Sequence, residues 1–78
     1  MRYETKMVTQ VDHEGTGAEW RLHREVAGVS LRELARTMGV SAPYLSDLER
    51  GRRNWTEELE DRYVKALREA VHRQGGTG

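Results

Sequence analysis

Charged side chains carry most of the chemistry this chain could do, because the other reactive types are missing or scattered. There is no cysteine, so neither a disulfide framework nor a thiolate metal site can form. His13, His23 and His72 lack the compact spacing of metal ligands. The densest group of carboxylates is Glu57, Glu58, Glu60 and Asp61, and no nucleophile, metal triad or glycine-rich phosphate loop accompanies it. Its cause is simpler: acidic side chains on the opening turns of a helix complement the positive end of the dipole. The opposite charge is concentrated just before it, in Arg50-Gly-Arg-Arg-Asn54. Guanidinium groups grouped in this way suit phosphate oxygens. The chemistry on offer is therefore binding, with no catalytic residue and no metal or other cofactor called for.

Composition narrows the partners. Thirteen basic residues balance thirteen acidic ones in a chain of 78, whereas nucleic-acid domains often have a pI above about 9. Affinity for a polyanion must then come from placement, with backbone contacts limited to one face. One small domain of this length has little stability to spare for a catalytic cleft. No apolar run approaches the ~18 residues that span a membrane, and the opening Met-Arg-Tyr-Glu-Thr-Lys lacks the apolar stretch of a signal peptide. A soluble, intracellular protein with no membrane partner is expected.

The elements that must position these charges follow from periodicity. Residues 1–17 form an N-terminal extension in which Met1, Tyr3, Thr5, Met7, Thr9 and Val11 alternate with more polar neighbours, the period of a half-buried strand. Gly15-Thr-Gly17 should break it. A helical domain is expected over 18–73, and Gln-Gly-Gly-Thr-Gly, 74–78, should fray. Within the domain, a first helix is predicted from Ala18 to Ala27, with Trp20, His23 and Ala27 on its inner stripe, so that His23 is partly buried. His13 and His72 should be exposed. Ser30-Leu-Arg-Glu33 reads as a capping box opening a second helix, which ends at Gly39. Ser41 caps a third, with Pro43 in its first turn and Leu45 and Leu48 inward, stopping at Gly51. A longer fourth runs from about Thr56 to Arg73, with Leu59, Tyr63, Ala66, Leu67 and Ala70 as its apolar stripe and a C-terminal half free to extend beyond the core. Trp20, Trp55 and Tyr63 are expected in the core.

Two short helices separated by Gly39-Val-Ser, with Ala35, Val40, Leu45 and Leu48 converging, make a helix-turn-helix unit. The run from Gly28 to Gly51, with its Val-Ser pair and Tyr-Leu-Ser-Asp-Leu-Glu-Arg-Gly, resembles the Cro/C1-type (XRE) helix-turn-helix repressors over about Trp20 to Leu67. The resemblance implies an all-α, compact four-helix domain like that of lambda repressor, here with an N-terminal β-strand extension. It implies a cytoplasmic, bacterial or phage-encoded transcriptional regulator that binds a double-stranded DNA operator. The helix opening at the Val-Ser pair would enter the major groove, setting Ala42, Pro43, Tyr44 and Asp47 against base edges. Ser41, Ser46, Arg50, Arg52, Arg53 and Asn54 would meet phosphates. Ala42 and Pro43 offer only apolar contact, Asp47 can only accept, and Tyr44 could pack on the first helix instead. Leu31 stands where the family often has a DNA-contacting glutamine. Arg24 and Glu49 match positions that pair to fix the recognition helix. The same fold also serves as an antitoxin that neutralises a protein toxin and represses its own operon.

A lone strand needs a partner for its backbone groups. A second copy of the same segment would supply one, giving a homodimer with Tyr3, Met7 and Val11 on one face, covered by Leu67 and Val71 of the last helix.

Overall fold

The computed structural model describes residues 12–75, which form four helices: α1 (His13–Ala27), α2 (Leu31–Met38), α3 (Ala42–Glu49) and α4 (Glu57–Gly75). No strand occurs among the described residues. The strand expected over residues 2–11, including Tyr3, Met7 and Val11, lies outside them. No helix among the described residues is long and apolar enough to cross a membrane.

Each helix starts where a side-chain oxygen can take an orphan backbone N–H. Ser30 Oγ accepts from Glu33 N (3.1 Å), Ser41 Oγ from Tyr44 N (3.2 Å) and Thr56 Oγ1 from Leu59 N (3.1 Å). Only half of the expected capping box forms at α2. The Glu33 carboxylate accepts from Gln74 Nε2 (3.2 Å) instead of turning back to Ser30. Between α2 and α3, Gly39 adopts φ 78° while Val40 N–H returns to Ala35 O at 3.0 Å. A β-carbon is disfavoured at that φ, so the glycine makes the sharp turn possible.

α1 begins at His13, not at Ala18. Asp12 caps it, its Oδ1 accepting from Gly15 N at 2.9 Å. Gly15, Thr16 and Gly17 do not break the chain but lie inside the helix, at a propensity cost of about 1 kcal/mol per glycine relative to alanine. Tertiary packing overrides that cost. Gly17 is buried where α1 meets the end of α3, and a β-carbon there would land on the carbonyl oxygens of Leu48 and Glu49. Residues 13–17 therefore belong to the helical domain.

The far end also differs from the sequence expectation. α4 continues through Gln74 and Gly75, within the tail expected to fray. Gln74 Nε2 donates to Gly28 O (3.3 Å), Arg73 Nη2 reaches Thr37 Oγ1 (3.4 Å), and Arg62 Nη2 donates to Met38 O (2.9 Å). With Ala66 and Ala70 buried and α4 packed along α2, the C-terminal half of α4 is docked on the core and does not project beyond it.

Leu34, Leu45, Leu48 and Tyr63 are the largest fully buried side chains. Trp55 is buried and Trp20 half-buried, their ring centroids 5.7 and 5.3 Å from that of Tyr63. His23 is exposed, its ring 5.4 Å from that of Trp20. The residue beside it, Arg24, faces inward because it has a buried partner. His13, expected to be exposed, is half-buried, since its Nδ1 accepts from Trp55 N at 2.9 Å.

Candidate nucleic-acid interface

α2 and α3 close on Ala35, which is 2% exposed and whose small side chain permits the approach, with Leu45 and Leu48 filling the space behind it. That packing leaves the other side of α3 towards solvent. Ser41 and Pro43 are exposed, while Ala42, Tyr44, Ser46 and Asp47 are half-buried. Ala42 and Tyr44 also rest against the edge of the core. Ser41 Oγ is engaged as the α3 cap, but accepting leaves its O–H free to donate.

The end of α3 is held by a buried polar network. Arg24 Nε and Nη2 donate to Glu49 Oε2 and Oε1 at 2.8 and 3.0 Å, a two-point contact, while Nη1 donates to Val29 O at 3.0 Å. Tyr63 Oη sits 2.6 Å from Glu49 Oε2 and 3.0 Å from Trp20 O. The structure thus brings Arg24 and Glu49 together, with 11% and 4% of their side chains exposed. Glu49 raises the Arg24 pKa by accepting its hydrogen bonds, against the opposing effect of burial. Burial raises that of Tyr63, and the neighbouring carboxylate adds to the shift. Every buried side-chain polar atom among the described residues has a partner.

The basic loop after α3 is pinned at both ends. Arg50 N and Arg52 N bond to Ser46 O (3.0 Å) and Asp47 O (2.9 Å), extending the helix into a tight exit. Gly51 takes φ 79° and lies against the Glu14 backbone, so it has room neither for a β-carbon nor for a β-branched substitute. Downstream, the Trp55 indole N–H donates to Leu48 O at 2.8 Å. Between these anchors Arg52, Arg53 and Asn54 are exposed, as is Arg50.

Two groupings on this surface are not evident from the sequence. Arg53 lies over α3, its Nε 3.8 Å from Asp47 Oδ2 and its Cζ 5.3 Å from the Tyr44 ring centroid. The sequence assigned Asp47 and Arg53 to separate targets; here they touch each other. Arg21 of α1 lines a cleft of about 150 Å³ with Leu31, Ser46, Glu49 and Arg50. It pairs with Glu25 at 3.1 Å. Nothing in its local sequence marks Arg21 as part of this surface, because only the packing of α1 on α3 brings it there. Elsewhere, half-buried Leu67 and exposed Val71 line an open groove of about 490 Å³ with Trp20, Ala27 and Val64.

A family model described as a helix-turn-helix domain matches residues 17–72. Two curated proteins of Mycobacterium tuberculosis, from strains CDC 1551 / Oshkosh and ATCC 25618 / H37Rv, are each 48% identical to this chain over 52 residues, 67% of its length. Each is described as an uncharacterized HTH-type transcriptional regulator, and the matched part is 37% of each relative. No solved structure gives a significant match.

Proposed function

The chain belongs to this helix-turn-helix domain family, and on that premise we propose that it is a sequence-specific, double-stranded DNA-binding transcriptional regulator, acting as a homodimeric repressor on a two-fold operator. α3 is the recognition helix, with Ala42, Pro43, Tyr44 and Asp47 towards base edges. Ser41, Ser46, Arg50, Arg52 and Asn54 meet the flanking phosphates, and Arg21 joins Arg50 and Ser46 on one strand. The observation supporting this reading is the solvent-facing side of α3 bordered by exposed guanidinium groups in a chain with no net charge. Those cations are not needed by the core, and a helix with such a border fits a major groove between two phosphate walls.

The homodimer rests on different residues. Leu67 and Val71 share an apolar groove between α1 and α4, and Val71 is 40% exposed. A second copy would cover them without obstructing α3.

Selection of bound duplexes from a random pool by the full chain tests both parts. Enrichment of a two-fold site with half-sites one helical turn apart supports the dimeric reader. No enrichment refutes DNA recognition, and an unsymmetrical single site refutes the two-fold assembly.

A further inference from the structure

We propose that Arg53 is a specificity-determining residue which reads a two-acceptor base edge, that of guanine, and that Asp47 is its positioning residue rather than an independent reader of bases. This rests on the assignment of α3 as the recognition helix and sharpens it.

The geometry of the Arg53 guanidinium leads to it. Its Nε lies 3.8 Å from Asp47 Oδ2, and its Cζ lies over the Tyr44 ring at 5.3 Å from the centroid. Its Nη1 and Nη2 atoms donate to no acceptor among the described residues. That unoccupied edge is the fork that matches two acceptors side by side, as guanine O6 and N7 present in the major groove. Tyr44 and Asp47 are one turn apart on α3, so a side chain resting on both lies on the outer stripe of the helix and not at its rim. A guanidinium there is placed for a base edge rather than a flanking phosphate.

The arrangement also accounts for Asp47. A carboxylate on a DNA-facing stripe is repelled by phosphates unless something neutralises it. At 3.8 Å the pair is too long for a hydrogen bond, so Asp47 steers Arg53 by charge, while the Tyr44 ring attracts the cation. A loop arginine with many rotamers is thereby held near its reading pose before DNA arrives, which lowers the ordering needed on binding.

The test uses the full chain and the duplex it selects from a random 20-base-pair pool, with a scrambled duplex as control, read by fluorescence anisotropy at fixed salt. Arg53→Ala should reduce the ratio of selected to scrambled affinity by roughly 5- to 150-fold, the span of one bidentate base contact. Asp47→Ala should lower the same ratio, and its own selection should lose the same guanine-containing positions. Combining the two should reduce the ratio no further than Arg53→Ala alone. The double variant should also bind scrambled DNA more tightly than Arg53→Ala, because the unneutralised carboxylate is gone. Losses that multiply, or an Arg53→Ala variant weakened equally on both duplexes, overturn the proposal while DNA recognition stands. A wild-type selection that enriches nothing removes DNA recognition and the proposal with it.

Discussion

Replacing Arg24 with alanine should come close to unfolding the domain. Glu49 is 4% exposed at its side chain and receives both a two-point guanidinium contact and the Tyr63 hydroxyl. Arg24→Ala leaves that carboxylate with a single neutral donor in a site closed to water, and removing one partner of a buried ion pair costs about 3–5 kcal/mol. The Val29 carbonyl loses its donor as well, so the upper half of that range is the expectation. A domain of this size has about 3–10 kcal/mol in total. A loss of 3 kcal/mol alone lowers its melting temperature by at least about 12 °C. The informative comparison is Arg24→Met combined with Glu49→Leu. Both charges are then gone, Tyr63 keeps the Trp20 carbonyl at 3.0 Å, and apolar replacement of a buried pair is often neutral. The double variant should return to within about 2 kcal/mol of the wild type, the residue being the unpaired Val29 carbonyl. Urea denaturation followed by circular dichroism gives both values. An Arg24→Ala variant within about 1 kcal/mol of wild type, or a double variant no better than the single one, would refute the reasoning.

Three further outcomes follow from other contacts. The folded-state pKa of Tyr63 is raised above the 10.0 of the unfolded chain, chiefly by burial, so its contribution is complete below pH 10 and lost as pH rises beyond it; the urea midpoint should fall between pH 9 and 11 in the wild type and stay flatter in Tyr63→Phe, and parallel profiles would remove Tyr63 as the cause. Gly17→Ala should destabilise by about 1–3 kcal/mol despite alanine's better helix propensity, because the new methyl meets the Leu48 and Glu49 carbonyls; a stabilised variant in thermal melts would show that α1 can shift away from α3. Val71→Asp, at a position 40% exposed, should leave the melting temperature of the monomer within the range of a surface change, about 0.5 kcal/mol, yet move the protein to monomer in light scattering; a dimer that persists would place the interface elsewhere.

The helices of this chain are legible in the sequence wherever their ends are marked by local chemistry. Ser30, Ser41 and Thr56 act as caps, and Gly28, Gly39 and Gly51 take positive φ after the helices they close. The misreadings fall where distant packing decides. Gly15 and Gly17 have the composition of a break, and only the close approach of α3 turns Gly17 into a helical contact. Gln74 and Gly75 have the composition of a frayed end, and contacts of Gln74 with the Gly28 carbonyl and Glu33 hold the last turn in place. His23 fits the apolar stripe by spacing, yet the helix turns Arg24 inward because Glu49 and the Val29 carbonyl satisfy all the burial demands of its guanidinium.

The candidate site divides along the same line. Positions on α3 could be named through the resemblance to the Cro/C1-type repressors that the Val-Ser turn carries. What those residues do to one another could not, because Arg53 reaches Asp47 and Tyr44 only after Gly51 has turned the chain back over the helix. That turn depends in its own right on α1, whose Glu14 backbone abuts Gly51 and whose His13 receives the Trp55 N–H. His13 and Glu14, which the sequence assigns to an extension, are therefore part of the support for the basic loop. The two ends of the loop are fixed by backbone and indole hydrogen bonds, and only its exposed side chains remain adjustable. A rigid frame presenting a small number of steered cations is how a chain without net positive charge would obtain selectivity from placement, with little general affinity for polyanions.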